Sequence, residues 1–153
     1  MKISQKGLYA LQAMMMLSRH YNQGAIRIRD IAYEEALPEK FLELILLELK
    51  NQGLLQSKKG KGGGYFLGRE PHLISVGHII RVLDGPIAPL PCVSKTAYMR
   101  CRECRDERSC GIRIVMKEVR DATAKIMDST SLADMLKRVE AVVTGKESLS
   151  FAI

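Results

Sequence analysis

The chain has 153 residues, of which 46% are hydrophobic, and this combination predicts one ordinary folded core rather than a disordered segment. Its formal net charge of +7 and its pI of about 9.4 favour an anionic partner such as nucleic acid. No apolar run reaches the ~20 residues of a membrane-spanning helix, and the first residues lack a secretory signal, so we expect a cytoplasmic protein that binds no membrane.

The first helix is predicted from Ser4 to Tyr21. Apolar residues recur there at three- and four-residue steps, and Asn22 and Gly24 supply a stop signal. The three methionines at positions 14–16 follow the same periodicity. We therefore interpret them as core residues and not as an oxidation sensor.

Two further helices are predicted at residues 28–35 and 38–52. A proline suits the first turn of the second one, and Gly53 ends it. The apolar stripe of that helix leaves Lys40 and Glu43 available to solvent or to a ligand. Two short helices joined by a tight turn are typical of a helix-turn-helix.

Two short strands are predicted at residues 54–57 and 65–67, joined by a basic, glycine-rich tip. Glycines allow the backbone to approach a phosphate closely, and Lys58, Lys59 and Lys61 provide charges that displace counterions. The pattern directly follows the two helices of the candidate helix-turn-helix. We therefore interpret it as a wing rather than as a solvated hairpin tip. Nucleotide binding is disfavoured, because no P-loop pattern is present and no helix directly follows the glycines.

Residues 76–83 predict a fourth helix, and the prolines at positions 86, 89 and 91 then enforce an extended linker. From Ile112 an apolar stripe predicts a long helix, which either crosses a partner subunit or joins the chain's own core. Ser131 and Asp134 resemble a capping pair at the start of a last helix.

All four cysteines lie close together in the chain, at Cys92, Cys101, Cys104 and Cys110. In a reducing compartment such a group more often binds a metal or an iron–sulfur cluster than forms disulfides. Spacing alone leaves four-iron, two-iron and zinc occupancy open. A thiol oxidoreductase is less favoured, because the two-residue gap of Cys101 and Cys104 lacks the strand-to-helix context of a redox pair. Cations outnumber acidic residues in this loop, which favours thiolates.

Six short segments, taken together and in this order, are characteristic: Met1-Lys2-Ile3-Ser4, Lys6-Gly7-Leu8-Tyr9-Ala10, Phe41-Leu42-Glu43, Gly53-Leu54-Leu55, Ser57-Lys58-Lys59-Gly60 and Gly62-Gly63-Gly64-Tyr65. With these segments the chain resembles the Rrf-type winged-helix transcription regulators, the group that contains IscR, NsrR and RirA. The resemblance covers almost the whole sequence. It implies a mainly α fold with a small β-wing, formed by a winged helix-turn-helix plus a long C-terminal dimerisation helix.

The resemblance also implies a partner and a division of the chain. A homodimer would present two winged modules to a pseudo-palindromic operator of double-stranded DNA. Residues 1–85 would form the DNA-binding domain, residues 86–111 the linker and cysteine-rich loop, and residues 112–153 the dimerisation helix and a C-terminal helix. No catalysis is expected of such a protein.

By the same resemblance, five residues are expected to contact DNA. Glu43 lies where the family's recognition helix reads the major groove, and Lys40 occupies another contact position on that helix. Lys59 lies where a basic wing residue enters the minor groove, and Lys58 and Lys61 suit phosphate contacts.

The recognition helix departs from the family at three positions. Pro38 and Lys40 stand where cluster-assembly regulators commonly have serines, and Leu44 stands where many relatives have a polar side chain. The operator sequence of a relative therefore does not transfer to this chain.

The cysteine loop departs from the family as well. Cys104 and Cys110 keep the family's five-residue gap, and Cys92 follows the expected proline-rich linker, whereas Cys101 is an additional thiol. Arg113 stands where some relatives place a histidine ligand, and an arginine stays protonated and cannot ligate a metal. We therefore expect an iron–sulfur cluster on Cys92, Cys101, Cys104 and Cys110 that controls DNA affinity, with structural zinc as the alternative.

Overall fold

The computed structural model describes residues 1–145, which form six α-helices and one antiparallel two-stranded sheet. The elements are α1 (Gln5–Arg19), α2 (Ile28–Glu34), α3 (Glu39–Asn51), β1 (Leu55–Lys58), β2 (Gly64–Leu67), α4 (Val76–Asp84), α5 (Gly111–Ser129) and α6 (Leu132–Val143). The predicted fold class, mainly α with a small β-wing, is confirmed. Within residues 1–145 no helix is both long and apolar enough to cross a bilayer.

Helix α1 begins at Ser4, whose hydroxyl accepts a hydrogen bond of 3.0 Å from the Gly7 N–H. The Ser4 N–H also donates to the Asp84 carboxylate at the end of α4, at 2.9 Å. A Cβ atom at position 7 would lie 2.6 Å from that carboxylate, so glycine permits the close approach of the two helix ends. Positive φ angles at Asn22 and Gly24 confirm the predicted stop after α1.

The hydrophobic core lies between α1, α3 and α4, with α2 and the sheet closing two of its sides. Met14 and Met16 are buried in it, which confirms their interpretation as core residues. Helix α3 contributes the buried residues Leu42, Ile45, Leu46 and Leu49. Burial of these side chains holds α3 on the core by one face, and its opposite face remains free.

The sheet pairs Leu55 with Leu67 at its base and Lys58 with Gly64 near its tip. A third segment joins it, because Ile26 and Tyr65 exchange two backbone hydrogen bonds of 2.9 and 2.8 Å. These bonds attach the hairpin to the segment that leads into α2. The wing is therefore supported from its base and from one side.

Helices α5 and α6 follow the cysteine loop. Helix α5 packs against α4 and against a short 3-10 helix at Pro91–Val93. Ser131 and Asp134 then form the predicted capping box, and α6 returns to pack on α1. Leu132 is fully buried in the core of the winged module. Of the expected C-terminal segment, residues 146–153 lie outside the described residues.

Candidate DNA interface and cysteine loop

The free face of α3 carries two of the residues expected to contact DNA. Lys40 and Glu43 are both exposed, since the helix buries its other side in the core. The helix begins after Pro38, one residue later than the sequence pattern predicted. The turn between α2 and α3 contains Ala36 with a positive φ of 53°. This turn directs the free face of α3 away from the core.

The wing carries the other three expected residues. Lys58, Lys59 and Lys61 are exposed at the end of β1 and in the tip. A Cβ atom at Gly63 would overlap the carbonyl oxygen of Lys58, and one at Gly64 would overlap the carbonyl oxygen of Ile26. These two glycines therefore allow the tight return of the chain that brings the three lysines together.

The electrostatics of this surface suit an anionic partner. None of the five side chains on α3 and the wing takes part in an ion pair with any residue from 1 to 145. By contrast, Lys6 on α1 is paired with Glu48 on the flank of α3. Four cations and one carboxylate are thus available for phosphates and base edges.

The four cysteines differ in their surroundings. Cys92 is buried in the 3-10 helix, Cys104 and Cys110 are half-buried, and Cys101 is exposed. The thiol of Cys110 caps α5, where it accepts a hydrogen bond of 3.5 Å from the Arg113 N–H. The Cys104 N–H donates to the Cys101 carbonyl at 3.2 Å, which closes a turn between those two residues.

The Cys101 thiol has other ionisable groups of the loop near it. The pKa of the Cys101 thiol is raised above its ordinary value, first by hydrogen bonding with Cys92, then by desolvation and by the charges of Cys92, Glu103 and Cys110. For Cys101 the expectation of a loop that favours thiolates is therefore wrong.

These neighbouring thiols do not converge on one point. Within the described part of the chain, no three His, Cys, Asp or Glu side chains stand in an arrangement that would hold a metal ion. The donor set nevertheless fits a cluster in chemical type and number, since it offers four thiols on one loop. Ligation requires these thiols to move closer together than they stand in the structure.

Two arginines of α5 hold the backbone beside Cys92, and neither contact has a signal in the sequence. Arg113 donates from Nε to the Cys92 carbonyl at 3.3 Å. Arg120 donates to the Val93 carbonyl and is buried, with only 8% of its surface exposed. A buried guanidinium requires hydrogen-bond acceptors, and here the cysteine segment supplies one. The start of the cysteine loop is thus fixed to α5.

The far end of α5 is fixed to the winged module. Arg81 on α4 forms a two-point ion pair with Asp128, and Nη2 lies 2.9 Å from Oδ2. This contact lowers the pKa of the Asp128 carboxyl and raises the pKa of Arg81. A Cβ atom at Gly77 would overlap the Asp128 carboxylate, so a glycine is needed where α4 meets α5.

The apolar stripe of α5 is not covered by the core that residues 1–145 form. The side chains that face outward along the helix are between 43% and 68% exposed, at Ile112, Ile114, Val115, Val119 and Ile126. For Val115, Val119 and Ile126 of the predicted stripe, the intramolecular alternative therefore does not hold within residues 1–145. The residue that α5 buries is Arg120.

A winged helix-turn-helix with a free second helix and a basic wing defines a DNA-binding regulator of transcription. The chain belongs to the Rrf2 family, whose profile, described as an iron-dependent transcriptional regulator, matches residues 3–138. The family resemblance seen in the sequence is thereby confirmed.

Three relatives illustrate the membership. An Rrf2-like HTH-type transcriptional regulator of Rhodobacter capsulatus is 43% identical over 137 residues, which cover 88% of this chain and 91% of that protein. The structure of CymR, the global cysteine regulator of B. subtilis, has a TM-score of 0.76 at 36% identity and covers 90% of this chain and 98% of its own. The T. potens IscR structure has a TM-score of 0.73 at 34% identity, with coverage of 93% and 90%.

Proposed function

We propose that the protein is a homodimeric cytoplasmic transcription regulator whose affinity for a pseudo-palindromic DNA operator depends on an iron–sulfur cluster. Cys92, Cys101, Cys104 and Cys110 would be the ligands. The observation that carries the proposal is the continuous attachment of the cysteine loop to α5 and of α5 to the winged module. A change in the conformation of the loop would therefore shift α5, and α5 would in turn shift the winged module that binds DNA.

On DNA, the five exposed side chains take different roles. Glu43 would accept a hydrogen bond from a cytosine amino group in the major groove, with Lys40 beside it on the same helix. Lys59 would enter the minor groove and respond to its width and potential, while Lys58 and Lys61 neutralise phosphates. Their exposure, and their freedom from ion pairs with residues 1–145, support these roles.

The dimer would form through the exposed stripe of α5. Burial of large aliphatic side chains on both copies of a two-fold axis supplies the apolar core that a stable interface needs. The same axis sets the separation of the two α3 helices, and hence the spacing of the half-sites.

When bound, a cluster supplies a redox-active centre held by thiolates. The residues of this chain divide the work of holding it. Cys92 is buried, and Arg113 and Arg120 fix its backbone, so it is the anchored ligand. Cys101 and Cys104 lie in one turn of the loop, and Cys110 caps the start of α5. An ordered loop would favour one position of α5 relative to the winged module. It would thereby change the fraction of dimers whose two winged modules fit both half-sites at once.

Anaerobic purification tests the proposal and its main alternative. A coloured protein with visible absorption, iron and labile sulfide supports the cluster, and loss of the cluster should change operator affinity. A colourless protein with one zinc would instead identify a structural site, which the all-thiolate donor set also suits. Iron-free protein from oxygen-protected cells would refute the cluster.

Variants test the DNA contacts against a matched control. Lys59→Ala should weaken operator binding and reduce the salt dependence by about 0.9 unit for each protomer, because one cation that displaces counterions from the DNA is lost. Glu43→Ala should mainly relax the sequence preference. Lys137→Ala removes a lysine of α6 that is outside both α3 and the wing, and it should change neither property. Unchanged affinity and preference in the first two variants would refute the assignments.

A further inference from the structure

Helix α3 carries a large apolar side chain, Leu44, that is not part of the hydrophobic core. Leu44 is 63% exposed, whereas its neighbours Leu42 and Ile45 on the same helix are fully buried. Phe41 packs edge-on against Tyr9, with ring centroids 5.7 Å apart, so part of its side chain is covered by the fold. Within residues 1–145, most of the Leu44 side chain stays in solvent, and that exposed part gives no hydrophobic stabilisation.

The position of Leu44 places it among the residues proposed to read DNA. It lies one turn after Lys40 and next to Glu43, and residues four apart share a face of a helix. Leu47, which is 48% exposed, lies one turn further on. Helix α3 carries three glutamates, one of them paired with Lys6, beside Lys40 and Lys50, and the wing adds three more lysines, so that cations outnumber carboxylates on the two elements. Such a surface is complementary to a polyanion rather than to an apolar protein groove.

The major groove of DNA offers one apolar group, the C5-methyl of thymine. We propose that Leu44 contacts a thymine methyl group in each half-site and so selects a T·A pair at that position. The inference rests on the proposed DNA binding by α3 and adds a specificity determinant to it. It also gives the exposed leucine a chemical role, because the selected base edge is then apolar.

The test compares thymine with uracil in DNA, which differ only by this methyl group. Selection from random duplexes with the wild-type protein first supplies an operator. Each thymine of that operator is then replaced singly by deoxyuridine, and Kd is measured at fixed salt by fluorescence anisotropy. Burial of one methyl group corresponds to about fourfold in affinity, and therefore to about fifteenfold when both half-sites are changed.

We expect one thymine in each half-site to show this loss with the wild-type protein. Leu44→Ala should bind the thymine operator more weakly and should respond to deoxyuridine at that position by less than about twofold. Leu47→Ala, a matched change at the neighbouring exposed leucine, should keep the wild-type response at that thymine. Thermal unfolding of both variants checks that the exposed positions leave the fold intact.

The outcomes separate this inference from the proposed function. Tight binding of wild-type protein without any deoxyuridine effect would overturn the role of Leu44 while leaving DNA binding in place. A full deoxyuridine effect in Leu44→Ala would overturn it as well, because another residue would then contact the methyl group. If selection recovers no duplex at all, the proposed function fails, and this inference fails with it.

Discussion

The attachment of the wing to the segment before α2 gives a sharp prediction, because Gly64 has two separate reasons to be glycine. Its φ of +143° lies in a region that side chains disfavour, and a Cβ atom there would overlap the Ile26 carbonyl. Gly62 shares only the first reason, since its φ is +72° and nothing lies within 4 Å of the place that a Cβ atom would take. The two glycines are therefore a matched pair.

The expected losses follow from these contacts. A residue other than glycine at positive φ costs about 1–2 kcal/mol, and this applies to both Gly62→Ala and Gly64→Ala. In Gly64→Ala the obstacle is backbone, which cannot swing away, so the two hydrogen bonds between Ile26 and Tyr65 must lengthen or break. Each contributes about 0.5–1.5 kcal/mol, and Gly64→Ala should therefore lose about 1–3 kcal/mol more than Gly62→Ala.

Urea denaturation followed by circular dichroism measures the two free energies of unfolding. Operator affinity should fall further in Gly64→Ala, because the detached wing no longer holds its lysines in one arrangement. Equal destabilisation by the two substitutions would refute the reasoning, since the overlap with Ile26 would then carry no energetic consequence.

Three further predictions concern α5 and the cysteine loop. Arg120→Met should lower the free energy of unfolding by about 1–3 kcal/mol and speed hydrogen exchange near residue 93, because the Val93 carbonyl loses a charged donor; unchanged exchange would contradict this. Asp128 has a lowered pKa because of its contact with Arg81, so the ionised carboxylate stabilises the folded state at neutral pH, and this contribution is lost as the pH falls below about 4. In Asp128→Asn the free energy of unfolding should therefore fall less between neutral pH and acid than it does in the wild-type protein. Cys101→Ala should reduce anaerobic iron and sulfide content, and wild-type content would remove Cys101 from the ligand set.

Local features of the fold were predictable from the sequence. The helix-turn-helix, both strands and the capping box at Ser131 lie within one or two residues of their predicted positions, because short-range periodicity and capping chemistry determine them. The stop after α1 was predictable for the same reason. Asn22 and Gly24 are residue types that tolerate a positive φ.

Contacts between distant parts of the chain were not predictable. The amphipathic pattern of α6 indicates that one face is buried, but it does not identify α1 as the partner or Leu132 as a core residue of the winged module. The burial of Arg120 has no local signal, since an arginine in a helix usually faces solvent. The approach of Cys101 to Cys92 likewise depends on how the loop folds back over nine residues of sequence, which spacing does not specify.

The length of α5 between its two attachments has a mechanical consequence. From Arg113 to Asp128 the helix rises about 22 Å, at 1.5 Å for each residue. A helix of this length bends only gently, so it behaves as a stiff rod. A rotation imposed at its thiol-bearing end would therefore reach the other end nearly unchanged. There the Arg81–Asp128 ion pair and the backbone hydrogen bond of 2.9 Å from the Val76 N–H to the Thr130 carbonyl connect the end of α5 to α4. In the proposed function, the effect of a cluster would cross this distance by rigid rotation of one helix.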